Sequence, residues 1–174
     1  MSERANLVLL AEYNEWMNAR LFSAAAELSP EELLANRSAF FGSIAGTLNH
    51  IVAGDTIWLR RFATHPARHA MLQPLLAWPA PASLATIYST DLPTLFAHRQ
   101  LLDGVIRQWT KALSHADLAH VLAYANTKGV VSGKRFGSLA LHFFNHQTHH
   151  RGQASTLLLQ AGVDIGVTDL LALI

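Results

Sequence analysis

Four of the chain's ten histidines fall within nine residues, in the run Leu141-His142-Phe143-Phe144-Asn145-His146-Gln147-Thr148-His149-His150-Arg151-Gly152-Gln153. On a helix, residues i and i+4 share a face with their Cβ atoms about 5–6 Å apart. Two imidazoles so placed can reach one ion at nitrogen–metal distances of about 2.0–2.1 Å. His142, His146 and His150 form an i, i+4, i+8 column, so either neighbouring pair can be the chelate. His149 lies one turn from His146 but is rotated away from His150. A helical pair supplies only two ligands, whereas a catalytic metal commonly takes three from protein. The best candidate for the third is His50, one position beside the apolar stripe of an earlier helix. Its neighbours at i−4 and i+4 are Gly46 and Gly54. Each glycine costs about 1 kcal/mol relative to alanine inside a helix, so the pair calls for a reason. Room for another helix, or for a ligand over a metal, is one. His65, His69, His98, His115 and His120 stand near helix ends or in loops and read as surface residues.

The elements that must position these side chains are mainly helical. From Asn6 to Leu28, apolar residues recur at spacings of three and four (Leu10, Tyr13, Met17, Leu21, Ala24, Leu28), which is one face of a helix. Ser29-Pro30-Glu31-Glu32 opens a short helix, with an N-cap serine, a proline at N1 and acids in the first turn. A second long helix is predicted over about 43–64, with Ile44, Leu48, Ile51, Trp58, Leu59 and Phe62 inward. Pro66, Pro74, Pro79 and Pro81 then predict an irregular crossover. A third long helix is predicted from Asp91-Leu92-Pro93 to about Leu113, and Ser114 caps a further short turn. Val121, Leu122 and Tyr124, then Asn126-Thr127-Lys128-Gly129, then Val130-Val131 predict a small β-hairpin. The last long helix, about 136–160, ends at Gly162 as its C′ glycine. Four long amphipathic helices in one domain spanning 1–174 predict an all-α four-helix bundle with a long crossover.

Composition removes several classes of function. The formal charge of +1, without a Lys/Arg run, gives no electrostatic footprint for nucleic acid. No apolar run reaches the roughly 18 residues of a membrane span, and the N-terminus shows no signal peptide. The expectation is a cytoplasmic protein. Without cysteine there is no thiolate ligand, disulfide or cysteine nucleophile. Charged residues are only 14% of the chain, against about 25% on average. A surface so poor in charge predicts a partner, most simply a homodimer.

Three segments resemble the DinB-like (damage-inducible, YfiT-like) metal-dependent bundle proteins. They are Tyr13-Asn14-Glu15-Trp16-Met17-Asn18-Ala19-Arg20-Leu21, then Thr47-Leu48-Asn49-His50 followed by Asp55, Trp58, Leu59 and Arg61, then Asn145 to Gln153. The resemblance runs in order over about 10–169. It implies a four-helix bundle holding one divalent ion, nickel or zinc, through His50, His146 and His150, with His142 and His149 outside the ligand set. It also implies dimerisation and, in some relatives, thiol-dependent S-transfer or isomerisation with a low-molecular-weight thiol cosubstrate.

That chemistry suits three histidines. Neutral ligands leave the dication's charge intact and a position open, where a water or thiol would lose its proton more easily. Arg151, directly after a ligand, is the candidate to pair with a cosubstrate carboxylate, or else joins helices or subunits. Two other readings use the same features: a hydrolase working through a metal-activated water, and a non-catalytic module that binds or senses a small molecule. Asp55, five residues from His50, points away from that imidazole by helical geometry, so no general base is evident.

Overall fold

The computed structural model describes residues 2–174. Four long helices carry the architecture: α1 (Glu3–Ala25), α3 (Ile44–Phe62), α4 (Leu92–Ala112) and α6 (Phe136–Gln160). Two single-turn helices, α2 (Pro30–Leu34) and α5 (His115–Ala119), sit in the connections. α1 packs on α4 and α6, and α3 packs on the same two, so the helices close into a ring in the order α1–α4–α3–α6. Leu21, Ile44, Leu48, Leu59, Phe62, Leu102, Ile106, Trp109, Phe143 and Leu158 fill the interior. No described helix is long and apolar enough to cross a membrane.

The ends follow the predicted caps. Ser29 and Ser114 each close a capping box, with Glu32 and Asp117 respectively, and Asp91 caps α4. Gly162 adopts φ +89° beyond α6, the left-handed conformation that ends a helix at low cost only with glycine. α1 begins three residues earlier than its apolar pattern, because Ser2 accepts from the Ala5 N–H and caps it there. The hairpin is real: β1 (Val121–Ala125) pairs antiparallel with β2 (Val131–Arg135). Asn126 Oδ1 holds its turn by accepting from the N–H groups of Lys128 and Val130.

Two expectations need correction. The proline-rich crossover contains a 3-10 helix, Ala70–Ala77, which buries Leu72 and Leu75 against the bundle. Proline punctuation marked the irregular stretch but not the leucines that tuck it down. α3 itself is buried almost all round from Ile44 to Thr56, not along one stripe. Asn49 ties the crossover to it, donating to the Ser89 carbonyl at 2.9 Å and accepting from the Tyr88 N–H at 2.7 Å. The second correction concerns His65 and His69, read as surface residues. They are 3% and 8% exposed, packed where α3 ends against α5 and Phe136.

A polar cluster runs through the middle of this apolar bundle. Arg99 on α4 joins Asp55 on α3, and its other arm lies 3.1 Å from Asp103. Gln147 on α6 donates to Asp55 at 2.6 Å, and Asn14 and Asn18 on α1 donate to Asp103 at 2.9 Å each. Arg151 donates to Asn14 Oδ1, completing a circuit through all four long helices. Its two arginines and two aspartates balance in charge, which is the condition for burying them. Burial raises Asp103 to about 6, against the pull of Arg99.

Candidate metal centre

His50 on α3 meets His146 and His150 on α6, and one nitrogen from each ring lies within 4.8 Å of the others. The group could therefore hold one metal ion. The flanking glycines have separate reasons. A Cβ on Gly54 would stand 2.8 Å from His146 Cε1, so Gly54 leaves room for that imidazole between the helices. A Cβ on Gly46 would collide with the Phe41 carbonyl at 2.1 Å. Gly46 thus lets the preceding loop close down and stack Phe41 on His50, with ring centroids 3.8 Å apart.

Proton positions are more informative than distances. His50 Nδ1 is 2.7 Å from the carbonyl of Leu84. A main-chain carbonyl only accepts, so the His50 proton sits on Nδ1 and the Nε2 lone pair is free. His150 Nδ1 faces Gln153 Oε1 at 2.8 Å, which likewise frees its Nε2. The two Nε2 atoms then confront each other at 3.0 Å. Two lone pairs at that distance repel unless a cation lies between them. A proton is a poor candidate, because burial lowers both pKa values. A divalent ion suits the donors, since neutral imidazoles whose far nitrogen donates outward are the usual form of a metal-ligating histidine. His146 is lowered to about 3 by burial, with His150 and His50 adding to it, and its Nδ1 is buried with no hydrogen-bond partner. All three rings are thus neutral at pH 7.

Other candidates fall outside this centre. His142 and His149 are exposed, and His142 stacks edge-on to Trp58. Arg151 is 3% exposed and turned into the α1 contact, with its guanidinium 5.4 Å from the Tyr13 ring. One step along a helix rotates a side chain about 100° from His150, so Arg151 faces α1 and not the three-histidine group. Asp55 points into the polar cluster, as helical geometry required. The sequence reading gave no role to Gln153, although its i+3 spacing from His150 was available. The Leu84 carbonyl carries no side-chain signature at all.

Beside the centre, but not containing the histidines, lies an open groove of about 1140 Å³. Phe41 and Leu84 separate the two, since both line the groove while one stacks on His50 and the other accepts from it. The C-terminal half of α3, the crossover and the hairpin build the rest of its walls.

Fold and site together define a four-helix bundle with a three-histidine group able to hold a metal at one edge. Comparison with known proteins gives that class a name: the sequence model of the DinB family matches residues 1–174, and the chain belongs to the DinB family. It is 26% identical over 160 residues to Protein DinB of Bacillus subtilis (strain 168), covering 92% of this chain and 88% of that protein. No solved structure matches it.

Proposed function

We propose that His50, His146 and His150 bind one divalent metal ion, nickel or zinc, and that the protein is a metal-dependent enzyme transferring a small-molecule thiol to an electrophile. The observation that carries this reading is the inward lone pair of His50, fixed by the Leu84 carbonyl and set 3.0 Å from its His150 counterpart. When bound, the ion supplies a Lewis acid that makes a thiol or a water in its remaining position more acidic. The chain holds the ion without adding charge, shields one side of it with Phe41, and keeps an apolar groove next to it. It contributes no thiol of its own, so the nucleophile must come from solution.

The test is elemental analysis of untagged protein, followed by product formation from a haloarene with and without added thiol. About one equivalent of metal per chain and thiol-dependent turnover are expected. Metal-dependent turnover that ignores every thiol would make the protein a hydrolase. Tight metal binding without turnover would make it a sensing module. A homodimer belongs to the same reading, since Leu101, Leu141 and Leu159 are exposed on the outer faces of α4 and α6. Light scattering at micromolar concentration should give twice the chain mass.

A further inference from the structure

The groove beside the metal centre is apolar, yet two arginines stand in its wall and no described lining residue is an aspartate or glutamate. Arg60 has a structural task. Its Nη1 lies 2.5, 3.0 and 2.6 Å from the carbonyls of Leu75, Leu76 and Trp78, clasping the crossover to α3. Arg61 has no such task. It makes no ion pair with any described carboxylate. Its Cζ stands over two aromatic rings, 4.6 Å from the centroid of Trp58 and 5.3 Å from that of Tyr124.

Cation–π contact holds the guanidinium in place without occupying its N–H groups, which stay available to donate to a ligand. A positive charge at the last turn of α3 also complements the helix dipole, but a lysine in solvent would serve that purpose. Arg61 is half-buried among these rings, and none of its donors meets a described carboxylate, so an anion entering the groove would find them free.

We propose that Arg61 is the anion-recognising residue of this groove, which takes a small carboxylate whose apolar body lies along Phe40, Phe41, Leu84 and Tyr124. A carboxylate matches the fork with two parallel hydrogen bonds. An aromatic or branched aliphatic body matches the lining. The proposal names the substrate class for the function proposed above, and its placing of that substrate beside the reacting centre rests on that reading. Binding in the groove does not.

Calorimetry with 2-naphthoate and its neutral counterpart 2-naphthamide tests it, on the protein as purified and again after chelation of metal. Naphthoate should bind about tenfold more tightly than the amide. Arg61→Gln should bring the two within about twofold by weakening naphthoate alone, since only the charge-assisted bonds are lost. Arg61→Met, which keeps the apolar stem, is the second variant if Arg61→Gln fails to fold. Equal binding by the native protein, or a preference that survives both substitutions, overturns the proposal. So does a preference that disappears on chelation, which would place the anion on the metal. A preference shown by protein that takes up no metal, as purified or on reconstitution, leaves this groove standing and removes only the metal-dependent function.

Discussion

His50, His146 and His150 at one edge of the bundle, and His65, His69 and Asp117 at one end of it, each bring three possible ligand atoms within 4.8 Å of one another. Distance alone cannot separate them; proton placement can. In the first group the outer nitrogens of His50 and His150 face acceptors, leaving lone pairs inward. In the second, His65 Nδ1 accepts from the Ala67 N–H at 3.1 Å, so the neutral ring carries its proton on Nε2, the atom that would have to ligate. Asp117 is also engaged, its Oδ2 accepting from the Ser114 N–H and hydroxyl at 2.8 Å each in the capping box of α5. The first group therefore has the arrangement that could hold a cation. The second is a packed corner, with His65 against Phe136 and His120. Clustered histidines become a metal site through what binds their far nitrogens.

The largest expected effect follows directly. His50→Ala and His150→Ala should each abolish tight metal binding, whereas His65→Ala, His69→Ala and His149→Ala should leave about one equivalent per chain by elemental analysis after desalting. Metal lost equally from both groups would erase the distinction. A smaller effect tests its cause. Gln153→Leu removes the acceptor that holds the His150 proton outward without touching a ligand, and should weaken metal affinity about 10–100-fold in a competition titration. Unchanged affinity would mean that proton placement does not matter here.

The smallest effect belongs to the packed corner. Burial lowers the His65 pKa, with His120 adding to it and Asp117 opposing. Between that lowered value and the unfolded value near 6.5, the folded state binds fewer protons than the unfolded one. Stability from a neutral His65 is therefore present above about pH 6.5 and drains away as pH falls below it. His65→Gln should flatten that part of the Tm–pH curve of metal-free protein by a few degrees. A curve parallel to the native one would show that His65 meets the same environment folded and unfolded.

How far the sequence discloses these features depends on how local they are. The His146/His150 column, the serine caps, the hairpin turn and Gly162 are set by residues within one turn of each other, and all are readable from spacing. Gly46 and Gly54 announce a close approach without saying to what. The structure answers with the Phe41 carbonyl for one and the His146 ring for the other. Burial of His65 depends on α5 and Phe136, which lie far along the chain, so its position near a helix end misleads. The polar cluster escapes sequence reading for the same reason: Asp55, Arg99 and Gln147 look like ordinary surface residues until three helices bring them together.

That cluster bears on how a metal would reach the proposed site. The proposed ligands come from α3 and α6 alone, while the Asp55–Arg99–Asp103 circuit ties in α1 and α4 as well. Directional bonds in an otherwise greasy interior select one helix register over its neighbours. The contact of Gln147 with Asp55 sits beside His146 on α6, so it also fixes which turn of α6 faces His50. The proposed ligands are thus held in place by contacts made between the protein's own side chains. A preset site of this kind would take the ion that the surrounding fluid offers, so that a cell could alter the cargo through its metal supply without making a new protein.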